Sequence, residues 1–582
     1  MKALVLLLAV ALGAHAAEPI RFHTARPGFV SLNIYRPDGA LASQLLAGAP
    51  FAAGDHDVSW DGLAGGAPVP PGDYTWRALF HETLALKVRG WIGDFGGDRG
   101  PPSAAAADDT QIYLGWSLAT ADADSVVACD PAGAVHWTHR RGPLSGCRAL
   151  AVDAGVLFVL GGEGADAEGR ALYRLSAKDG ALDPWPDGRI DLKITSLWPA
   201  KGKYKPGIAD YLAAKNGRLY VSFSAGQFIA SLDAKTGRYL QTIVGSPSGP
   251  VDAVATKSYT DKPDDLVDAD FVVAALSGDT VEKMLLAHDP IWVLADEFTP
   301  LDPGQGITAL NVIGDGAKHR VHDIFIALGP PWNQIEARPA LASGSTTYMA
   351  GKAGGRLPSG VWQPDRMGDI RAIALDATGQ LWVAEGDAIP GRISVWTTDT
   401  PEGRLAREFF APPGPASPVA VDPLDPRLMY AGGCEWRIDP ETGRAVCLGV
   451  VTRVPIRAAR FEMENGRLLL VLTPVAGAEF VLERAGAGAY RPHIGPAPAA
   501  IPPRFQLSPA PGGQWRVTTS DGFDLGAVFD PASGASPVLA QTPDGRAFVT
   551  ASRARIRNLE LTGIETLRPL ATGKITLPPR ER

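Results

Sequence analysis

From about residue 105 to 575 the chain repeats one arrangement: a short apolar run, a polar turn, then another run. Residues 369–396 show it plainly. Ile370 to Leu375 alternates toward Asp376, Leu381 to Ala384 follows the turn at Asp376 to Gly379, and Ile393 to Trp396 follows a second turn at Pro390-Gly391. Strand-length runs cut by Gly, Pro and Asp predict a β-meander. A Gly-centred turn before an apolar strand returns at Asn216-Gly217, Asn465-Gly466 and Asp544-Gly545. A second turn, with Asp or Ser, a spacer and Gly, falls at Asp130 to Gly133, Ser176 to Gly180, Asp233 to Gly237, Asp439 to Gly443 and Asp530 to Gly534. In it the acid or hydroxyl accepts backbone hydrogen bonds and Gly takes the positive-φ position. The two types alternate, as the first and last hairpins of a four-stranded unit would. A lone meander leaves a face uncovered, so the copies must pack on one another.

The pattern predicts an all-β fold: a β-propeller of about seven to eight blades, preceded by a small sandwich. Asp369 to Trp396 resembles a blade of the NHL-type propellers, and Leu232-Asp233-Ala234-Lys235-Thr236-Gly237-Arg238 resembles the repeat of the quinoprotein-type (PQQ-like) propellers. These resemblances imply architecture and leave function open.

The start of the chain reads differently. Residues 1–16 place one Lys before a short apolar run that ends in Ala14-His15-Ala16, the pattern of a cleaved signal peptide. The run is shorter than the ~20 residues of a membrane span. A secreted or periplasmic protein with no transmembrane segment after cleavage is expected. Residues 17–88 alternate over short strands with close-set turns, as a β-sandwich does. Pro37-Asp38-Gly39, Gly54, Trp60-Asp61-Gly62 and Pro71-Gly72-Asp73-Tyr74 make this stretch resemble the Ig-like domain of the flagellar hook-capping protein. Trp60 and Tyr74 are read as core anchors. Residues 89–110, rich in Gly, Pro and Ala, form a linker or opening loop, and 111–582 the propeller.

Composition narrows the function classes. Apolar residues make up 45% and charged ones 20%, ample for a core, and the net charge of -8 comes with no basic tract, which argues against nucleic acid. Four cysteines, at 129, 147, 434 and 447, invite disulfides in an exported chain. Two local bridges, Cys129–Cys147 and Cys434–Cys447, are expected over the other pairings. Their spacing is not that of a zinc site, and the adjacent cysteine pair of quinoprotein dehydrogenases is absent.

Ends of second strands tend to face one channel mouth, which points to Glu163, Ser222, Ser224, Glu385 and Ser552 as ligand-binding candidates. NHL-type blades often carry Asp where Glu385 stands. His319, His322 and Asp323 are the candidate divalent-metal group, for Zn or another divalent ion such as Ca, although on a strand positions 319 and 322 would face opposite sides. His136, His139, His288 and His493 could join them only through the fold. Asp94, Asp98, Asp108 and Asp109 are candidate Ca ligands, but they lack the alternation of a calcium loop and read as a solvated acidic loop. No nucleophile elbow, nucleotide glycine loop or His-Glu-x-x-His pair is present. A non-enzymatic binding or scaffold protein for an extracellular or periplasmic protein or glycan is therefore expected. The rival is a channel-mouth enzyme, either a metal-dependent lyase or hydrolase or a quinoprotein-like oxidoreductase. Expressed in an exporting host, the mature chain should begin at Ala17, as amino-terminal sequencing would show; retention of residues 1–16 would mean that the leader is not cleaved.

Overall fold

The computed structural model describes residues 19–578 apart from a set of connecting stretches, the longest being 162–169, 195–208, 258–270, 299–306, 313–322, 494–504 and 530–539; within 251–298 and, Trp515 apart, 505–562 it describes the backbone strands only. Among the described residues nearly every element is a strand. The turn chemistry read from the sequence builds the hairpins. Asn216 and Gly217 both take positive φ, 51° and 74°, as a two-residue hairpin turn requires. At the other turn type the Asp233 carboxylate accepts from Thr236 N at 2.7 Å, and the Asp376 carboxylate accepts from Thr378 N at 2.8 Å.

Six antiparallel sheets follow one another, over residues 102–140, 147–193, 209–243, 251–298, 307–350 and 370–410. Each is a meander in chain order, and Glu402–Gly403 adds a parallel edge strand to the fifth. Their first strands are Pro102–Ala107, Cys147–Asp153, Ala209–Lys215, Val251–Lys257, Ile307–Val312 and Ile370–Leu375. Each of these packs beside the next, and Ile370–Leu375 packs back on Pro102–Ala107. The circuit is closed. This is a β-propeller, and these strands surround its axis.

The circuit holds six blades rather than the seven or eight expected. Among the described residues three later meanders, over 419–450, 456–492 and 505–529, lie outside it. The sheet over 419–450 recruits Gly360–Val361 at its edge, and the sheet over 456–492 packs its first strand on that of the 419–450 sheet. Turn spacing alone does not distinguish a sheet inside the ring from one beside it.

The last blade meets the first through side chains. Phe409 stacks on Trp382 with ring centroids 5.4 Å apart, and Phe95 packs on both Phe409 and Trp116. Gly133, in the last turn of the first blade, has no room for a side chain because Phe409 fills the space. The same contact recurs one seam on, where Gly180 lies against Trp137. Just ahead of the first blade, Asp94 pairs with Phe410 in both directions, donating from its N at 2.9 Å and accepting on its carboxylate at 3.0 Å. Arg444 binds the same carboxylate at 2.9 Å. Burial pushes the Asp94 carboxyl up, with Phe410 and Arg444 opposing.

The leading domain sets one four-stranded sheet over shorter strand pairs. Trp60 and Tyr74 are buried and meet edge to face at 5.0 Å, as core anchors should. The fourth strand of that sheet is Arg568–Leu577, paired with Gly72–His81, so this strand departs from the propeller span expected for 111–582.

The cysteines are four buried thiols. Cys129 faces the seam with Trp382 and Phe409, whereas Cys147 lies in the next seam with Tyr113 and Leu157, so the first blade separates them. Cys434 and Cys447 do sit on adjoining strands, but Cys434 stands opposite Val450 and Cys447 opposite Trp436, which leaves them diagonal. Their thiols hydrogen-bond, and burial followed by Cys434 pushes the Cys447 thiol up. The expected Cys129–Cys147 bridge is thus corrected, while Cys434 and Cys447 meet as expected but as free thiols. Phe409→Ala should cost about 3–5 kcal/mol in a urea titration; a loss below about 1 kcal/mol would mean that closure does not depend on this ring.

Candidate functional site

The second residue of every first strand is a β-bulge. Residues 104 and 102 pair with successive partners in the first blade, which leaves Ser103 extra; the same shift leaves Arg148, Asp210, Asp252, Thr308 and Arg371 extra in the blades that follow. A bulge bends its strand and re-aims a side chain. Here it breaks the alternation at the same level in all six blades and puts a polar residue there each time. Alanine follows in five of them, Ala104, Ala149, Ala253, Ala309 and Ala372, with Tyr211 in the third.

This level opens into a cavity of about 60 Å³ on the axis. Ser103, Arg148, Tyr211 and Arg371 contribute its polar lining, and alanines from four blades line it too. Its charged lining residues are both cationic. Each is held from outside the cavity. Arg148 Nε donates to Asp210 at 2.9 Å, and Arg170 shares that carboxylate at 2.7 Å. The Arg148 guanidinium lies 5.8 Å from the Tyr211 ring centre, within the range of a cation–π contact. Arg371 Nε donates to Asp369 at 2.8 Å. Ser103 Oγ donates to Cys147 O at 2.5 Å.

The ends of the second strands lie at this level as well: Glu385 stands opposite Ile370, and Phe223 opposite Ala209. Glu385 does not reach the cavity. Its side chain is fully buried, and donors surround it: Ser394 Oγ at 2.6 Å, Gly368 N at 2.7 Å and the Arg356 guanidinium. Arg392 lies 3.3 Å away and Glu408 3.0 Å from Arg392, so two arginines and two glutamates form one neutral buried group. Trp362 caps it, with Arg356 and Arg392 at 5.2 and 5.3 Å from its ring centre. Burial would raise the Glu385 pKa, but Arg356, Arg392 and the Ser394 bond overcome it and hold the carboxyl below its ordinary value. A carboxylate held so tightly neither gives up nor takes a proton near neutrality. The expectation that Glu385 binds ligand at the mouth is therefore corrected: it fastens the wall of the last blade.

Ser222 is also fully buried, on the second strand of the third blade. Glu163, Ser224, Ser552, His319 and His322 lie outside the described residues, while Asp323 begins the strand Asp323–Leu328 opposite Pro339. His139 Nδ1 donates to Gly180 O at 2.9 Å across the seam to the second blade, and His136 Nδ1 lies 3.1 Å from Gln111 Oε1 within the first. Asp94 closes the seam, and Asp108 accepts from Thr110, Gln111 and Tyr113, so neither belongs to a solvated acidic loop. Among the described residues no three His, Cys, Asp or Glu side chains group as a metal site would.

Arg148 and Arg371 escaped the sequence reading, yet a signal was there. A polar residue, Ala and an aliphatic residue recur at Arg148-Ala149-Leu150, Asp252-Ala253-Val254, Thr308-Ala309-Leu310 and Arg371-Ala372-Ile373. Strands crowded round an axis leave space for Ala and little else.

No family model matches the chain, and neither does any curated protein. Among solved structures it is similar to BamB from Moraxella catarrhalis, at 11% identity over 68% of this chain and 97% of that one, with a TM-score of 0.26. It is also similar to Raptor from Chaetomium thermophilum, at 10% identity over 66% of this chain and 28% of that one, TM-score 0.34. A third is the β-propeller domain of Cps50 (Swd1) from Myceliophteria thermophila, at 12% identity over 55% and 90%, TM-score 0.28. The closed circuit of sheets, not these distant likenesses, defines the fold.

Glu385→Gln should destabilise the protein by about 3–5 kcal/mol at neutral pH, because it leaves buried arginine charge uncompensated. A carboxyl whose pKa is depressed by folding stabilises above its unfolded value and loses that stabilisation as pH falls through the folded value. The gap between wild type and Glu385→Gln should therefore narrow below the ordinary carboxylate range, as urea titrations across acid pH would show. A gap independent of pH would refute the ionic account.

Proposed function

We propose that this is a secreted, non-enzymatic binding or scaffold protein that uses its propeller as a recognition surface, with a protein or glycan outside the cytoplasm as partner. The observation that carries this reading is the axial cavity. At about 60 Å³ it has room for a few waters. That is the size of one functional group, not of a quinone cofactor or a sugar ring with its catalytic residues. Its polar groups come from separate blades on a rigid frame, which suits a fixed recognition point. Glu385 supports the same reading, since its proton-transfer capacity is suppressed by its partners.

The resemblances of 29–80 to the hook-capping protein's domain and of the blades to NHL-type and quinoprotein-type repeats fit an exported modular binder. No helix among the described residues is long and apolar enough to cross a membrane. Fold alone does not separate a binder from an enzyme, so the test measures both. The purified mature chain, prepared without chelator, should bind a purified partner or glycan saturably at one per chain in calorimetry. It should turn over none of a panel of glycans, peptides and alcohols. Turnover that tracks a stoichiometric divalent metal or a quinone absorption band would overturn the reading in favour of the enzyme.

A further inference from the structure

We propose that the axial cavity is a carboxylate-binding site in which Arg148 and Arg371 hold the carboxylate of an acidic side chain or free carboxyl terminus of the partner. This deepens, and rests on, the reading of the propeller as a recognition surface.

Charge comes first. Among the described residues, two guanidinium-bearing side chains line the cavity and no acid does. The acids that orient them, Asp210 and Asp369, bind from behind. Arg148 gives only its Nε to Asp210, and among the described residues its two terminal amino groups make no further hydrogen bond. Arg371 gives Nε and Nη2 to Asp369 and keeps Nη1. Both retain donors of the planar fork that fits a carboxylate. Both are also reachable, with 28% and 43% of their side chains exposed.

Geometry agrees. Arg371 and Arg148 stand at the same bulge level in the last and second blades, on either side of the first blade, whose bulge is Ser103. The ring contact with Tyr211 and the carboxylate pairs fix the guanidinium groups before any ligand arrives, which lowers the ordering cost of binding. The alanine walls accept the methylene that carries a carboxylate. The volume admits one such group.

The test uses the full mature chain with acetate and succinate as probes, acetamide as the neutral isostere and inorganic phosphate as a tetrahedral anion that lacks the planar shape of a carboxylate. Calorimetry should show acetate and succinate binding, no binding of acetamide, and weaker binding of phosphate. Arg371→Gln and, separately, Arg148→Gln should weaken acetate at least tenfold without moving the thermal midpoint. The second variant guards against misfolding of the first, since Asp210 keeps Arg170. Acetamide binding as well as acetate, phosphate binding more tightly, or indifference to both substitutions would overturn the site. A partner identified by the preceding test should compete with acetate and weaken at least tenfold with Arg371→Gln. If the partner binds Arg371→Gln unchanged, the carboxylate is not the partner's and the inference fails while the recognition reading survives. If acetate binds as described but no partner or glycan does, the recognition reading fails and a site for free carboxylates remains.

Discussion

The propeller depends on the seam between its last blade and its first. The four antiparallel strands of each blade come from one run of chain, and among the described residues no strand from the far end completes the sixth sheet by hydrogen bonding. The ring is held shut by packing: Phe409 between Trp382, Phe95 and the bare backbone at Gly133. The Asp94 clasp adds two backbone-directed hydrogen bonds and an ion pair at the same place. The seam repeats the joint between the first two blades, where Gly180 admits Trp137. Closure is therefore the same contact made once more, with a clasp added where the chain is not continuous.

That closed frame is what gives the axial cavity its character. Six first strands converge, and small side chains fill the centre. Among the described residues, Ser103, Arg148 and Arg371 reach the axis where a bulge releases them from alternation, and Tyr211 follows such a bulge. The charges elsewhere are mostly paired within the walls, as in the Glu385, Arg356, Arg392 and Glu408 group and in Glu435 with Arg484 at 2.5 Å, which ties the 419–450 and 456–492 sheets together. The two lining arginines differ because part of each guanidinium is left over.

The hairpins were legible because a turn is a local event. Asn216-Gly217 and the Asp233 and Asp376 turns each declare their backbone within a few residues. The anchors Trp60 and Tyr74 were legible for the same reason, each sitting beside its turn. Ring membership was not, because the sheets at 419–450 and 456–492 obey the same local rules. The latter even carries its own bulge at Arg457, before Ala458. The thiols misled because sequence separation says nothing about which face of a blade each one takes. Glu385 misled because Arg356, its partner, and Glu408, which pairs with Arg392 beside it, lie on other elements, and nothing local announces a buried ionic group. The axial residues were hidden by a one-residue shift, which a count of alternation cannot see but which the recurrent polar-Ala-aliphatic triplet marks.

The last strand of the leading sheet has a consequence in time. Glu82, at the end of the strand it joins, is separated by 484 residues from Thr566, its hydrogen-bond partner just ahead of that last strand. At roughly 5–20 residues per second, a ribosome needs about half a minute to a minute and a half to make that interval. Throughout it, the Gly72–His81 strand has an open edge, the feature most apt to pair with another chain. The domain made first is thus the one finished last, and for most of its synthesis the molecule depends on whatever shields that edge.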